Sequence, residues 1–372
     1  MRYVNLLPGD VAPSFIQKTT VNPRYVFDVA AGRYLVLCFF GSASNETMRS
    51  MIAEVGSWTH IFDDTFATFF GVTIDPSDET MARLPTNAPI HRNVLDFDLS
   101  VSKAYGAASL ESEAGKKSVT LRRQWVIIDP AMRVLKTIQI DPEIDHLGEL
   151  KSFLEAQPRP GIINGIEVQA PVLYLANIFE PELCERLIDC YRTNGGKESG
   201  FMREIDGKTV AQFDYSHKRR RDFTIEDDAL IQTLQGRVHR RLVPQIQKAF
   251  QFNATRMERY IVACYSEADG GHFRPHRDNT TKGTAHRRFA VSINLNSEFE
   301  GGEISFPEYG PRRFKPPPGG AVVFSCSLLH TVSKVTGGQR FAFLPFLYDD
   351  AAAEIRRQNN AFLDPSVGQY KA

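Results

Sequence analysis

Apolar positions in the first 155 residues gather into short unbroken runs, separated by segments with helical spacing. RYLVLCFFG (33–41) is a continuous apolar run ending in glycine, and TFATFFGVTID (65–75) is a second. Runs of this length without polar alternation predict central strands covered on both faces. RRQWVIIDP (122–130) and RVLKTIQI (133–140) flank a turn at Pro130–Met132 and predict a hairpin. HLGELKSFLEAQ (146–157) repeats its apolar residues at helical spacing. Strands alternating with helices predict an α/β layer fold for residues 1–157.

The pattern then breaks. QPRPGIINGIEVQAP (157–171) holds three prolines and two glycines, which predicts a linker over 158–170 and a second domain over 171–372. A strand in VLYLAN precedes a helix that starts at Glu180-Pro181-Glu182, with Leu183, Leu187, Ile188 and Tyr191 on one face. Residues 227–250 predict one further helix, with Pro244 late in it. Beyond it the segments 258–266, 272–278, 287–296, 302–306, 321–326 and 339–347 read as short strands between Gly, Pro and Asp turns. That spacing predicts a jelly-roll, or double-stranded β-helix, with flanking helices.

Composition narrows the partners. Lys plus Arg equals Asp plus Glu at 44 each in 372 residues, so no bulk field favours nucleic acid or a membrane surface. The longest apolar runs fall far short of the roughly 18 residues a spanning helix needs. The N-terminus MRYVNLLPGD lacks a basic region followed by an apolar core, so no signal peptide is expected there. Five scattered cysteines predict reduced thiols in a cytoplasm, not a disulfide framework. The densest basic run, HKRRRDF (217–223), is expected to be a solvated loop; the sharper reading makes it an arm that grips a carboxylate or an acidic peptide.

The candidate chemistry is in GHFRPHRDN (271–279). On a strand, His276 and Asp278 at i and i+2 point to one side and can reach one ion. With nine histidines and 44 acidic residues, about one such pair is expected by chance, so its company decides. His330, in the strand-like run AVVFSCSLLHTV, can complete a two-histidine, one-carboxylate face that leaves positions open on Fe(II). Arg340, in GGQRFAFLPF, offers a fork for a dicarboxylate. Tyr265 sits on the strand before the ligand loop. His272 reads as a loop or pocket-rim residue, His286 as solvated, and His217 and His239 as surface; His60, His91 and His146 have no partner pattern. Cys264 and Cys326 read as buried packing.

Two resemblances follow from these phrases. GDVAPSF, LVLCFFG and QWVIIDPAMRVL resemble the thioredoxin-like redoxins, peroxiredoxins in particular. That family needs a thiolate where a helix starts after the LVLCFFG strand, and here the loop reads GSASNETMRSM, without cysteine. Cys38 lies inside the apolar strand. The resemblance therefore implies a thioredoxin-like domain without redox chemistry, free to act as a scaffold, a substrate-docking surface or the dimerisation unit of a homodimer.

The segment 170–350 resembles the 2-oxoglutarate- and Fe(II)-dependent dioxygenases of the prolyl 4-hydroxylase group, with IVACYSEADGGHFRPHRDN close to the oxygen-sensing prolyl hydroxylases. The resemblance implies His276, Asp278 and His330 as iron ligands and Arg340 as the partner of the 2-oxoglutarate distal carboxylate. It places Tyr265 in the co-substrate pocket. Asn294, in SINLN, stands where those sensors carry a tyrosine, and its amide can still donate. The implied reaction is hydroxylation of a prolyl or other amino-acid or peptide C–H bond, using O2, with 2-oxoglutarate decarboxylated to succinate and ascorbate as accessory reductant. Asp278 favours hydroxylation, since halogenating relatives replace this carboxylate with a small residue. Two other functions stand beside it: thiol peroxidase activity from the first domain, and an iron- or 2-oxoglutarate-binding sensor without turnover.

Overall fold

The computed structural model describes residues 1–85, 91–115, 119–365 and 367. They form two compact units, Met1–Gln169 with Pro307–Pro311, and Ala170–Phe306 with Arg312–Ala372.

The first unit is a five-stranded mixed sheet in the order His91–Leu95, Ala67–Thr73, Tyr34–Gly41, Gln124–Ile128, Val134–Gln139. The first three strands run parallel, and the last two add antiparallel as the expected hairpin. Every residue of Tyr34–Gly41 is buried, because helices and loops cover both faces of the central strand. Each large side chain so buried contributes about 1.5–3 kcal/mol of transfer free energy. Gly41, at φ +91°, ends this strand in a conformation that an L side chain rarely adopts. The helix Glu46–Gly56 follows, capped by Asn45, whose Oδ1 accepts from the Met48 amide at 3.2 Å. This is a thioredoxin-like arrangement. At the helix start stand Ser42 and Ser44 (Oγ to Oγ 2.7 Å), and Ser42 donates to Asp75 at 2.6 Å. Cys38 lies opposite Gly71 and Trp125 in the middle of the sheet, and burial pushes its thiol pKa well up.

The second unit is a double sheet of the jelly-roll kind. The larger sheet runs Leu173–Leu175, Ala321–Ser325, Phe289–Asn294, Val335–Phe343, Ile261–Ser266, Arg221–Thr224, Lys197–Glu198. The smaller runs Lys218–Arg219, His272–His276, His330–Val332, Ile304–Ser305, Arg313–Phe314. Strand alternation splits the larger sheet's side chains. Val262, Cys264, Val291, Ile293, Ala321, Val323, Phe341 and Phe343 pack outward against the helices Pro181–Asn194, Asp228–Arg241 and Val243–Phe250. The alternate positions, among them Tyr265, Ser292, Asn294, Phe324 and Arg340, turn inward. Phe324 meets the His330 ring of the smaller sheet at 4.6 Å between centroids.

Several expectations are corrected. The helix expected over 227–250 is two, Asp228–Arg241 and Val243–Phe250, meeting at Leu242. Pro244 has no amide proton for the turn before it and crowds the carbonyl four residues back. The run AVVFSCSLLHTV is also two strands, so His330 opens a strand of the smaller sheet while Ala321–Ser325 belongs to the larger. His276 ends its strand, and Asp278 lies in the turn beyond it, so the pair does not share strand geometry. His272 is on that same strand, not in a loop.

His286 is fully buried, not solvated. Its Nε2 lies 3.1 Å from Glu258, which also holds Arg287 at 2.7 Å and Arg356 at 3.0 Å. Burial raises the Glu258 pKa, but Arg287, His286 and Arg356 together outweigh that and hold it far below the usual carboxylate range.

The basic run 217–223 is not a solvated loop. Lys218–Arg219 pairs with Phe273 and His272 in the smaller sheet, and Arg221–Thr224 pairs with Ile261–Cys264 in the larger. The chain passes from one sheet to the other at Arg220. Lys218 and Arg220 are each 5% exposed. His217, expected at the surface, is part-buried between the Phe201 and Phe273 rings at 4.5 and 5.5 Å.

Candidate metal centre

His276 and His330 are register partners on adjacent antiparallel strands. An extra residue between Phe273 and His276 shifts the register there, where Pro275 has no amide proton to give the ladder. The bulge brings the two imidazoles side by side, with ring centroids 4.2 Å apart. Asp278 is held in its turn by its amide, which donates to the Cys326 carbonyl at 2.9 Å. Its Oδ1 lies 3.6 Å from His276 Nε2 and its Oδ2 3.3 Å from His330 Nε2. One ligand atom from each residue falls within 4.8 Å of the others, and among the described residues this is the group of three so disposed.

The tautomers suit a metal. His276 Nδ1 lies 2.8 Å from the Arg274 carbonyl and His330 Nδ1 3.0 Å from the Leu328 carbonyl. A carbonyl only accepts, so each Nδ1 carries the proton and each Nε2 presents a lone pair toward Asp278. Two imidazole nitrogens and one carboxylate oxygen form a donor set that fits ferrous iron and leaves coordination positions for other ligands.

Arg340 stands among the inward-facing side chains, 1% exposed. Its Nε donates to Asn294 Oδ1 at 3.0 Å and its Nη2 to Ser292 Oγ at 2.7 Å. Both partners are neutral, and among the described residues Arg340 forms no ion pair. The Glu303 carboxylate acts on it only from beyond ion-pair distance and is bonded by Ser333 instead, so this buried guanidinium lacks a directly bonded anion, a costly state that favours one supplied from outside the chain. Asn294 spends its Nδ2 on the Pro316 carbonyl at 2.8 Å, so it orients Arg340 through its oxygen. Tyr265, the register partner of Arg340, is also 1% exposed; its hydroxyl accepts from Arg220 Nη1 at 3.3 Å. Its ring lies 5.4 Å from the Arg340 guanidinium and 5.6 Å from that of Arg220.

Lys218, Arg220 and Asp222 lie in the run 217–223, whose sharper reading is an arm that grips a carboxylate, but none of them, nor Ser292, is expected from the sequence as an individual site residue. A usable signal existed: Lys218, Arg220 and Asp222 repeat at i, i+2 and i+4, the period that puts strand side chains on one face. Arg220 grips Asp222 with Nε at 2.7 Å and Nη2 at 2.7 Å, and Ser199 Oγ donates to Asp222 Oδ2 at 2.5 Å. Burial alone would raise the Asp222 pKa; Arg220, Lys218 and Arg259 overcome it and bring it down to about 2.

The unfolded carboxyl titrates near 3.9, so Asp222 adds stability above that pH, worth about 2–3 kcal/mol, which is lost as pH falls toward 2. The stability gap between wild type and Asp222→Asn is therefore expected to narrow as pH falls from about 4 to about 2. Far-UV circular dichroism reads it. Trp58 and Trp125, the only tryptophans, lie in the first unit, so their fluorescence serves as an internal control. A gap that stays constant with pH refutes the paired carboxylate.

Residues 260–348 match the family model for the 2OG-Fe(II) oxygenase superfamily. The C-terminal region carries a 2OG-Fe(II) oxygenase domain. The oxygenase family's name states the two groups it implies, Fe(II) and 2-oxoglutarate. A curated relative, a PKHD-type hydroxylase of Shewanella frigidimarina, is 39% identical over 78 residues, which are 21% of this chain and 34% of that protein. The chain thus spans about a third of that relative's length. Among solved structures, a Pseudomonas putida prolyl-4-hydroxylase is 18% identical, with a TM-score of 0.37, covering 48% of this chain and 93% of that one. The peroxidoxin BcpB of Mycobacterium tuberculosis is 17% identical, with a TM-score of 0.36, covering 41% and 99%. No helix among the described residues is long and apolar enough to cross a membrane.

Proposed function

We propose that this protein is a non-haem dioxygenase that hydroxylates a C–H bond of a prolyl or other amino-acid or peptide substrate. One O2 and one 2-oxoglutarate are consumed; one oxygen atom enters the substrate as hydroxyl, the other enters succinate, and CO2 leaves. His276, Asp278 and His330 would hold the iron, which supplies the oxygen-activating chemistry when bound. Arg340 pairs with the distal carboxylate of 2-oxoglutarate, oriented by Asn294 and Ser292, and Tyr265 flanks it. Ascorbate keeps the iron ferrous, and the reducing cytoplasm is the compartment that suits it and five free thiols.

The observation that carries this reading is the pairing of two incomplete sites in one interior: three convergent donors with free lone pairs, and a buried guanidinium that no carboxylate of the described residues bonds. Anaerobic titration with Fe(II) and 2-oxoglutarate tests it. The expected result is a visible charge-transfer band that needs both additions. A wild-type protein with no band ends the proposal. Succinate release stimulated by one compound in a metabolite or peptide screen separates an enzyme from a sensor that binds without turnover.

Peroxidase chemistry has the opposite support. A reactive thiolate is stabilised by a helix N-terminus or nearby cations, whereas burial disfavours the Cys38 thiolate. Cys38→Ser is expected to consume peroxide at the same background rate as wild type. A wild-type rate well above background that the substitution removes would restore the thiol reading.

A further inference from the structure

The oxygenase reading leaves one buried cation unused. Lys218 Nζ donates to Ser199 Oγ at 2.8 Å and to the Gly200 carbonyl at 2.5 Å. Among the described residues its third N–H has no acceptor and Lys218 forms no ion pair. The ammonium lies 5.0 Å from the centre of the Phe273 ring, and that ring stacks on the His276 imidazole with centroids 3.4 Å apart. Phe273 is therefore the common neighbour of Lys218 and a proposed iron ligand.

Charge in this interior does not balance. Lys218, Arg220 and Arg340 are each at least nine-tenths buried, with Arg259 beside them. Against them stand Asp222, which Arg220 and Arg259 already engage, and Glu303, which acts on Arg340 from beyond ion-pair distance. The Asp278 carboxylate belongs to the metal. The distal end of 2-oxoglutarate answers Arg340, while Asp222 and Asp278 act on Lys218 only from beyond ion-pair distance, so no carboxylate of the described residues bonds its ammonium.

The geometry points to Lys218 as the residue that receives a carboxylate of the hydroxylated substrate, which makes the substrate a small carboxylate-bearing molecule of the free amino-acid class. The inference rests on the oxygenase reading and sharpens its substrate. One free N–H suits one oxygen of a monoanion. A dianionic group would meet greater repulsion from Asp222, whose charge already acts on Lys218. An internal peptide residue presents a neutral amide where the carboxylate would be, and leaves the ammonium unanswered. Phe273, packed against both Lys218 and His276, fixes the ammonium close to the proposed metal ligands. Burial, and Arg220 beside it, push the Lys218 pKa well down. An arriving carboxylate pulls it back up and restores the ammonium that holds it.

The test uses the full chain with Fe(II), 2-oxoglutarate and O2, and reads stimulated succinate release. The probes are free L-amino acids, L-proline among them, each matched with its primary amide and with the same residue inside a blocked tripeptide. In wild type, kcat/KM for at least one acid is expected to exceed that of its amide and its tripeptide at least ~10-fold, the range of a hydrogen bond between charged partners. In Lys218→Met this preference falls to about 2-fold or less, through KM more than kcat; Lys218→Arg retains it in part. The wild-type preference stands as a test even if the methionine variant fails to fold.

Amides or tripeptides turned over as well as acids, a preference that survives Lys218→Met, or a panel in which no acid stimulates would each overturn the inference. The anaerobic Fe(II) and 2-oxoglutarate band, measured on the same preparations, separates the two failures. No band in wild type removes the oxygenase reading itself. A band without carboxylate preference removes only the role of Lys218, leaving it as a pin between the 197–200 segment and the smaller sheet.

Discussion

His276→Ala is expected to abolish the visible band formed with Fe(II) and 2-oxoglutarate and to lower succinate release by roughly three orders of magnitude, the several kcal/mol that a correctly held metal contributes at a reacting centre. The size follows from geometry. His276 and His330 sit opposite each other across two paired strands, and Asp278 bridges their Nε2 atoms at 3.6 and 3.3 Å. Removing one imidazole leaves two donors on one side of the site. Water cannot replace the third, because it lacks the backbone bond that aims Nε2. His60→Ala is the control: His60 is exposed in the first unit and touches Glu155 at 3.3 Å. Its band and turnover are expected to match wild type. A band of normal intensity in His276→Ala would remove the metal assignment, whatever the turnover.

Arg340→Met is expected to separate stability from binding. In most proteins, removing one partner of a buried ion pair costs 3–5 kcal/mol, because the other charge is stranded. Among the described residues Arg340 has no partner within ion-pair distance; its hydrogen bonds go to the Asn294 and Ser292 oxygens. Losing those two bonds costs about 1–3 kcal/mol each, and relief from burying an unpaired guanidinium offsets them. Without 2-oxoglutarate the variant is therefore expected within about 1 kcal/mol of wild type. With 2-oxoglutarate the two diverge. KM for 2-oxoglutarate rises roughly 100-fold, equivalent to ~3 kcal/mol of charge-assisted bonding, while kcat at saturation changes far less. Anaerobic melting with Fe(II) reads the same loss. At a hundred times Kd the wild type gains about 2.7 kcal/mol from 2-oxoglutarate, and the variant gains almost none. A variant destabilised by several kcal/mol without ligand would mean that Arg340 already has a counter-ion within the chain, and the empty anion site would not exist.

Much of the chemistry was readable before any coordinates. The H-x-D, the later histidine and the arginine stand out because few residue types ligate metals or fork onto carboxylates, and their local phrases are distinctive. The run around Cys38 was readable for a related reason: eight consecutive apolar residues have few places to go but the middle of a covered sheet. The misreadings share a cause. Pro244 divided a helix whose apolar spacing continued across it, since periodicity records which face is buried and not whether every backbone bond is made. His286 and the run 217–223 were placed in solvent on their polarity alone. Burial of a charged group depends on the partner that meets it: Glu258 and Ser199 arrive from other strands or loops, and Asp222, within the run itself, meets Arg220 only in the folded chain.

Residue order by itself indicated the central strands and several helices, where a thiolate is missing, and which side chains are candidates to hold iron and a dicarboxylate. Local forces decide those matters: backbone preference, side-chain period and the intrinsic donors of each residue. Only the tertiary structure decided that His276 and His330 face each other across a bulged pair of strands, that Asp278 reaches them from a turn, and that Lys218, Arg220 and Arg340 lie buried in one interior where, among the described residues, only Arg220 has a directly bonded carboxylate. Those facts depend on register and on which sheet each strand joins. Both are set by long-range pairing and desolvation, which no short stretch of chain contains.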